Sequence, residues 1–115
     1  MTIVPPVART HRAAVVWIDG WHAFVARMDH GLPRITEVDR DLSSMPDFHH
    51  RVAGEARDCD RLMILGAGGA VSAFEHEYEH LYPRSRFIEA ECAAAATPAE
   101  LTDRLRLLES DEGHV

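Results

Sequence analysis

The stretch Arg61-Leu62-Met63-Ile64-Leu65-Gly66-Ala67-Gly68-Gly69-Ala70-Val71 decides the fold. Leu62 to Leu65 are apolar without alternation, which predicts a short strand covered on both faces. Gly66-Ala67-Gly68-Gly69 is a turn made of small residues. A helix opens directly behind it, with Val71, Phe74, Tyr78 and Leu81 at helical spacing and Pro83 as its stop. Arg86–Glu91, with Phe87 and Ile88, reads as the next strand. Strand, helix and strand in that order form a crossover unit, and such a unit places its two strands parallel.

Reading upstream, the period changes. Arg12–Asp19 is almost continuously apolar, with Val15, Val16, Trp17 and Ile18, and again suits a strand buried on both faces. His22–Asp29 alternates, with Ala23, Val25 and Arg27 on one face and Phe24, Ala26 and Met28 on the other. Gly20 and then Asp29-His30-Gly31 supply tight turns, and Leu32–Asp39 gives a third strand. Connections this short imply an antiparallel meander. Ser44-Met45-Pro46-Asp47 is a helix start, with Ser44 as N-cap, Pro46 in the first turn and an acid at the third position. Phe48, Val52, Ala56 and Cys59 form the buried stripe of that helix, and His49 stands at its boundary.

Downstream, Thr97-Pro98-Ala99-Glu100 is a capping box. Leu101, Leu105 and Leu108 are the stripe of a third helix. The expected architecture is α/β, βββ-α-β-α-β-α, with three helices on one mixed five-stranded sheet. Placing the fourth strand beside the first gives the order 3-2-1-4-5, a ribonuclease H-like layout. Residues 1–11, with Pro5-Pro6, read as an extended arm and 109–115 as a flexible polar tail. The 115 residues make one domain.

Composition narrows the chemistry. All 12 basic residues are Arg, and the chain holds no Lys, Asn or Gln. That excludes a P-loop lysine, a Schiff-base lysine and an amide side chain that orients water. The formal charge of −7 disfavours binding through a broad basic face. Cys59 and Cys92 match no metal or redox spacing and read as small core residues in a reducing cytoplasm. No membrane span or targeting segment is apparent, since the apolar run Ala13–Ile18 ends at Asp19.

His76-Glu77-Tyr78-Glu79-His80 matches the H-E-x-x-H pattern of zinc proteases, with His76 and His80 as the ligand pair, Glu77 as the base and Glu100 a conceivable third ligand. The helical wheel turns both histidines away from the stripe, so they read as a solvated face, and neither a metal nor a cofactor is expected. Asp19 ends the first strand where a two-metal nuclease places a carboxylate, but only Glu55 offers itself as a companion, which is too few. The binding candidates are Asp19, Trp21 and His22 in the first turn, His49, His50 and Arg51 at the first helix start, and Gly66, Gly68 and Gly69 in the glycine turn. Trp21 is suited to stack on a base or cover a partner, and the glycine turn to offer N–H groups to an anion.

Val15-Val16-Trp17-Ile18-Asp19, Phe48-His49-His50, residues 56–68 and Thr97-Pro98-Ala99-Glu100-Leu101 together carry a resemblance. The chain resembles small bacterial translational-machinery proteins related to the middle domain of archaeal and eukaryotic peptide-chain release factors, from about Arg12 to Leu108. The resemblance implies a ribonuclease H-like fold and a link to the ribosome, tRNA or rRNA. In release factors a Gly-Gly-Gln loop between the third strand and first helix promotes peptide release. The matching stretch here, residues 39–46, has neither Gly nor Gln, so nothing catalytic carries over. The expectation is a cytoplasmic, non-enzymatic, translation-associated domain that binds through protein or a few Arg contacts. The alternatives are a homodimeric assembly domain without RNA, and more distantly a metal-dependent hydrolase.

Overall fold

A computed structural model describes residues 12–57, 59–83, 87–93 and 95–109. The expected arm at 1–11 and the tail from residue 110 lie outside them, as does the side chain of Cys92. The chain runs β1 (Ala13–Ile18), β2 (His22–Asp29), β3 (Leu32–Asp39), α1 (Met45–Glu55), β4 (Arg61–Gly66), α2 (Ala70–Leu81), β5 (Phe87–Cys92) and α3 (Pro98–Glu109). The sheet order is β3-β2-β1-β4-β5, the order expected from placing the fourth strand beside the first. Strand β1 pairs antiparallel with β2 and parallel with β4, which in turn pairs parallel with β5. Glu109 closes α3 and is not part of a tail.

Period-2 strands between two helix layers divide the core in two. Ala14, Val16, Ile18, Ala23, Val25, Leu62 and Ile64 face Phe48, Val52, Val71, Phe74 and Tyr78 of α1 and α2. Ala13, Val15, Trp17, Ala26, Met63 and Leu65 face Leu101, Leu105 and Leu108 of α3. Every residue of β1 is buried, which is why its sequence shows no alternation. Trp17 Nε1 donates to the carbonyl of Ala93 at 3.0 Å, so its one polar atom is satisfied inside the α3 layer.

The local signals act as expected. Ser44 Oγ accepts from the N–H of Asp47 at 3.2 Å and caps α1. Thr97 and Glu100 form the reciprocal capping box, at 2.7 and 3.1 Å. His30 and Gly31 both have positive φ, 54° and 83°, which is the type I′ turn that suits a two-residue hairpin. Two details differ. Leu81 does not extend the α2 stripe and is exposed; Tyr82 packs on Tyr78 at 5.0 Å between ring centroids in its place. His49 is not at a solvated boundary but buried, with its ring 5.8 Å from those of both Phe48 and Phe74.

The register sets where the loops gather. Ile18 pairs with Gly66, Gly66 with Cys92, and His22 with Asp39. The ends of β1, β3, β4 and β5 and the start of β2 therefore lie along one edge of the sheet. The turns 19–21, 40–44 and 67–69 meet there.

Candidate functional site

The first turn is built on Asp19. Its Oδ1 accepts from the N–H groups of Trp21 at 2.7 Å and His22 at 2.9 Å. This carboxylate is a turn brace, the role Asp plays when it bonds backbone two and three residues ahead. His22 Nδ1 lies 3.7 Å from the same oxygen, and the His22 ring packs against Trp17 and Phe24. Trp21 is 65% exposed. The guanidinium of Arg40 sits 5.0 Å from its ring centroid, while Arg40 Nε and Nη1 donate to the carbonyls of Ser43 and Gly20. The indole is thus held by a cation on one side and left open on the other.

The 40–44 loop is stapled from below. Arg51 Nη2 donates to the carbonyl of Asp39 at 2.8 Å and to Ser43 Oγ at 2.9 Å. Arg51 is a loop holder here, with part of its guanidinium committed to the fold. Leu42, at the loop tip, is fully exposed. Two large apolar side chains, Trp21 and Leu42, therefore project from the same end of the sheet on braced backbone.

The glycine turn divides by role. A Cβ on Gly66 would overlap the carbonyl oxygen of Ile18, so this glycine exists to let β1 and β4 approach. Gly68 has φ +64°, which the turn needs. Gly69 is the N-cap of α2 and offers no side chain to its first-turn N–H groups. Gly20, Met45, His49, Ala67, Gly69, Ala70 and Ala73 line a cavity of about 390 Å³ at this point. The three sequence segments singled out thus converge, with Gly20, His49 and Gly69 around one space.

His49 Nε2 is buried and has no hydrogen-bond partner. Burial pulls the pKa of His49 down; the Glu77 carboxylate pulls it up, and Arg40 and His50 push it down. His50 is exposed and its Nε2 meets Glu77 Oε2 at 2.8 Å. That pairing turns Glu77, the base of the H-E-x-x-H pattern, toward α1. His76 and His80 are exposed, and no group of three potential metal ligands occurs among the described residues. Glu100 is held by Thr97, and Glu55 is exposed.

Sequence reasoning did not single out a second feature, at the opposite end of the sheet. Arg12, Arg27, Arg34 and Arg57 line a cleft of about 610 Å³ together with Asp29 and Glu55. Arg27 Nη1 donates to the carbonyls of Glu55 and Arg57, both at 3.0 Å, and Arg57 to that of Gly54. These arginines close the carboxyl end of α1, whose last turn has no basic residue of its own. Arg34 pairs with Asp29 at 3.0 Å. The only sequence signal was Arg27 on the inward face of β2.

With this geometry established, comparison places the fold. No family model matches the sequence, and no curated protein matches it in sequence. Solved structures do match. Pelota of Archaeoglobus fulgidus superposes with a TM-score of 0.63 at 15% identity, over 86% of this chain and 32% of that one. An archaeal Pelota, from a model of ribosome-bound Pelota and ABCE1, gives 0.55 at 16% identity, over 89% and 34%. Dom34 of S. cerevisiae, described as a translation termination-like factor, gives 0.52 at 8% identity, over 90% and 37%. The chain spans about a third of the length of these proteins. The resemblance read from the sequence is thereby supported at the level of the fold, which is that of one Pelota-like domain.

Proposed function

We propose that this chain is a non-catalytic docking domain of the translation machinery, and that it engages a ribosome-bound partner through the loop end of its sheet. The observation that carries this reading is the exposed Trp21, braced by Asp19 and Arg40, at the same end of the sheet as the exposed Leu42. Large apolar side chains presented on ordered turns, with arginines around them, have the character of interface anchors. The fold supports a translational setting, since an archaeal Pelota of similar fold is described in a model of the ribosome-bound protein with ABCE1. Peptide release is not part of the proposal, because the loop 39–46 carries neither Gly nor Gln. The net charge of −7 favours contact through protein and a few arginines over a phosphate-tracking basic face. Sedimentation of the purified chain with ribosomes from its own cell tests the reading. Co-sedimentation is expected. A chain that stays in the supernatant and forms a dimer of its own would favour the homodimeric assembly domain instead.

A further inference from the structure

The cleft lined by Arg12, Arg27, Arg34 and Arg57 begins where α1 stops. A helix of 11 residues is about 16 Å long, whereas β2 and β3, with eight residues each, run about 27 Å. The hairpin face that carries Val25 under α1 therefore continues uncovered past Glu55, and there it bears Arg27, Asp29 and Arg34. Arg27 and Arg34 are direct cross-strand partners. Side chains opposed in this way start about 5 Å apart, and like charges there destabilise the pair. Asp29, 3.0 Å from Arg34 Nη1, offsets part of that charge. Of the side chains lining the cleft, four are guanidinium groups and two, Asp29 and Glu55, are carboxylates, a local positive excess on a chain of formal charge −7. Asp60, whose Oδ2 accepts from the backbone N–H of Arg12 at 3.3 Å, is an acidic neighbour outside the lining.

Three of these guanidinium groups are held in one common way. Arg27 Nη1 donates to the carbonyls of Glu55 and Arg57, Arg34 Nη1 to Asp29 Oδ2, and Arg57 Nη1 to the carbonyl of Gly54. Among the described residues nothing bonds Nε or Nη2 of these three. One nitrogen fixes each side chain and the other donors remain. Arg34 and Arg57 are exposed and Arg27 is half-buried, so those donors are reachable from solvent. A guanidinium presents a planar fork that matches two oxygens of one phosphate. Because each fork is already anchored, less rotamer freedom is lost when an anion arrives.

We propose that this cleft binds the pyrophosphoryl group of a diphosphate ester, with one phosphate between Arg27 and Arg34 and the other toward Arg57. The opposed pair then receives an anion, and the like-charge conflict across β2 and β3 is relieved by the ligand. A single phosphate spans only that pair, whereas two linked phosphates also reach the arginine behind it. At about 610 Å³ the space has the size of a small-molecule site, and Met28 on its wall gives the ester's organic part an apolar contact. The adjoining groove shares Thr36, Glu55 and Arg57 with the cleft but is otherwise lined by Glu37, Asp39 and Asp41 as its nearest charges. A nucleic-acid strand continuing along β3 would meet those carboxylates, so the charge pattern selects a compact anion over a long one.

The test is isothermal titration of the purified chain with inorganic pyrophosphate at about 0.15 M salt, where loose surface attraction is screened. One saturable site is expected, with inorganic phosphate about 10-fold weaker or more. A nucleoside 5′-diphosphate is expected to bind as tightly as pyrophosphate or more so. Arg34→Ala removes a side chain that bonds Asp29 and leaves in place the arginines that close α1. It is expected to lower pyrophosphate affinity about 10-fold or more, with a ligand-free melting curve that matches the parent's. Trp21→Ala, at the other end of the sheet, is expected to bind pyrophosphate like the parent. No saturable binding, parent-like affinity in Arg34→Ala, phosphate bound as tightly as pyrophosphate, rejection of the nucleoside diphosphate, or tighter binding of a competing single-stranded oligonucleotide overturns the proposal. Ribosome docking can fail without touching this result, and the reverse holds as well.

Discussion

Replacing Gly66 by Ala separates a structural glycine from a ligand-binding one. The added Cβ would overlap the carbonyl oxygen of Ile18 and lie 2.9 Å from Val71 Cγ2 and 3.1 Å from the carbonyl carbon of Ile18. Two of these three atoms are backbone of β1, the central strand, and cannot rotate away. The β1–β4 pair would have to separate at its end, where Ile18 faces Gly66. Overpacking of a tight core costs about 1–3 kcal/mol, and an obstacle made of backbone belongs at the upper limit, about 3 kcal/mol. For a domain of this size that is a fall in Tm of about 12 °C, at about 4 °C per kcal/mol. The control is Gly20→Ala, whose Cβ meets nothing within 4 Å and which is expected to stay within about 0.5 kcal/mol of the parent. Urea unfolding followed by tryptophan fluorescence measures both. A Gly66→Ala variant with an unchanged midpoint would refute the close-approach argument.

Two other perturbations bear on the buried polar groups. His49 has its pKa lowered in the folded state, chiefly by burial, so the unfolded chain binds its proton first as pH falls. Stability from this group is fully present above the unfolded value of about 6.5 and declines as pH drops from there toward the folded pKa. The urea midpoint is expected to fall between about pH 7.5 and about pH 5.5, and to fall less in His49→Phe; equal slopes would contradict it. Glu109, raised by burial, acts with the opposite sign in the carboxylate range and is common to both proteins. Tyr78→Phe removes the hydroxyl that donates to the carbonyl of Ala56 at 2.9 Å, where α1 ends, and is expected to cost about 1 kcal/mol in the same assay.

The strands were legible because burial on one face or two writes itself directly into the chain, as in the alternation of His22–Asp29 and the unbroken Val15–Ile18. The caps at Ser44 and Thr97 were legible because their partners lie three residues away. What stayed hidden depends on partners distant in sequence. His49 sits about 100° around α1 from Phe48, at the stripe's border, and only the arrival of Phe74 from α2 covers it. The close approach at Gly66 needs β1 as its neighbour. Arg27 becomes a helix cap only once β2 lies under the end of α1. In the candidate site the residues Asp19, Trp21, His49 and Gly69 were legible by type, while Arg40 and Leu42, which complete that end, carried no local signal.

The most direct measurement is co-sedimentation with ribosomes for three proteins: the parent chain, Trp21→Ala and Arg34→Ala. Trp21 is exposed and its ring stacks on Arg40, so its removal leaves the core intact. Arg34 lies in the cleft at the far end of the sheet. The parent and Arg34→Ala are expected to pellet with ribosomes, and Trp21→Ala to stay in the supernatant. Equal pelleting of Trp21→Ala, or loss of binding in Arg34→Ala alone, would contradict the claim that the loop end is the docking face.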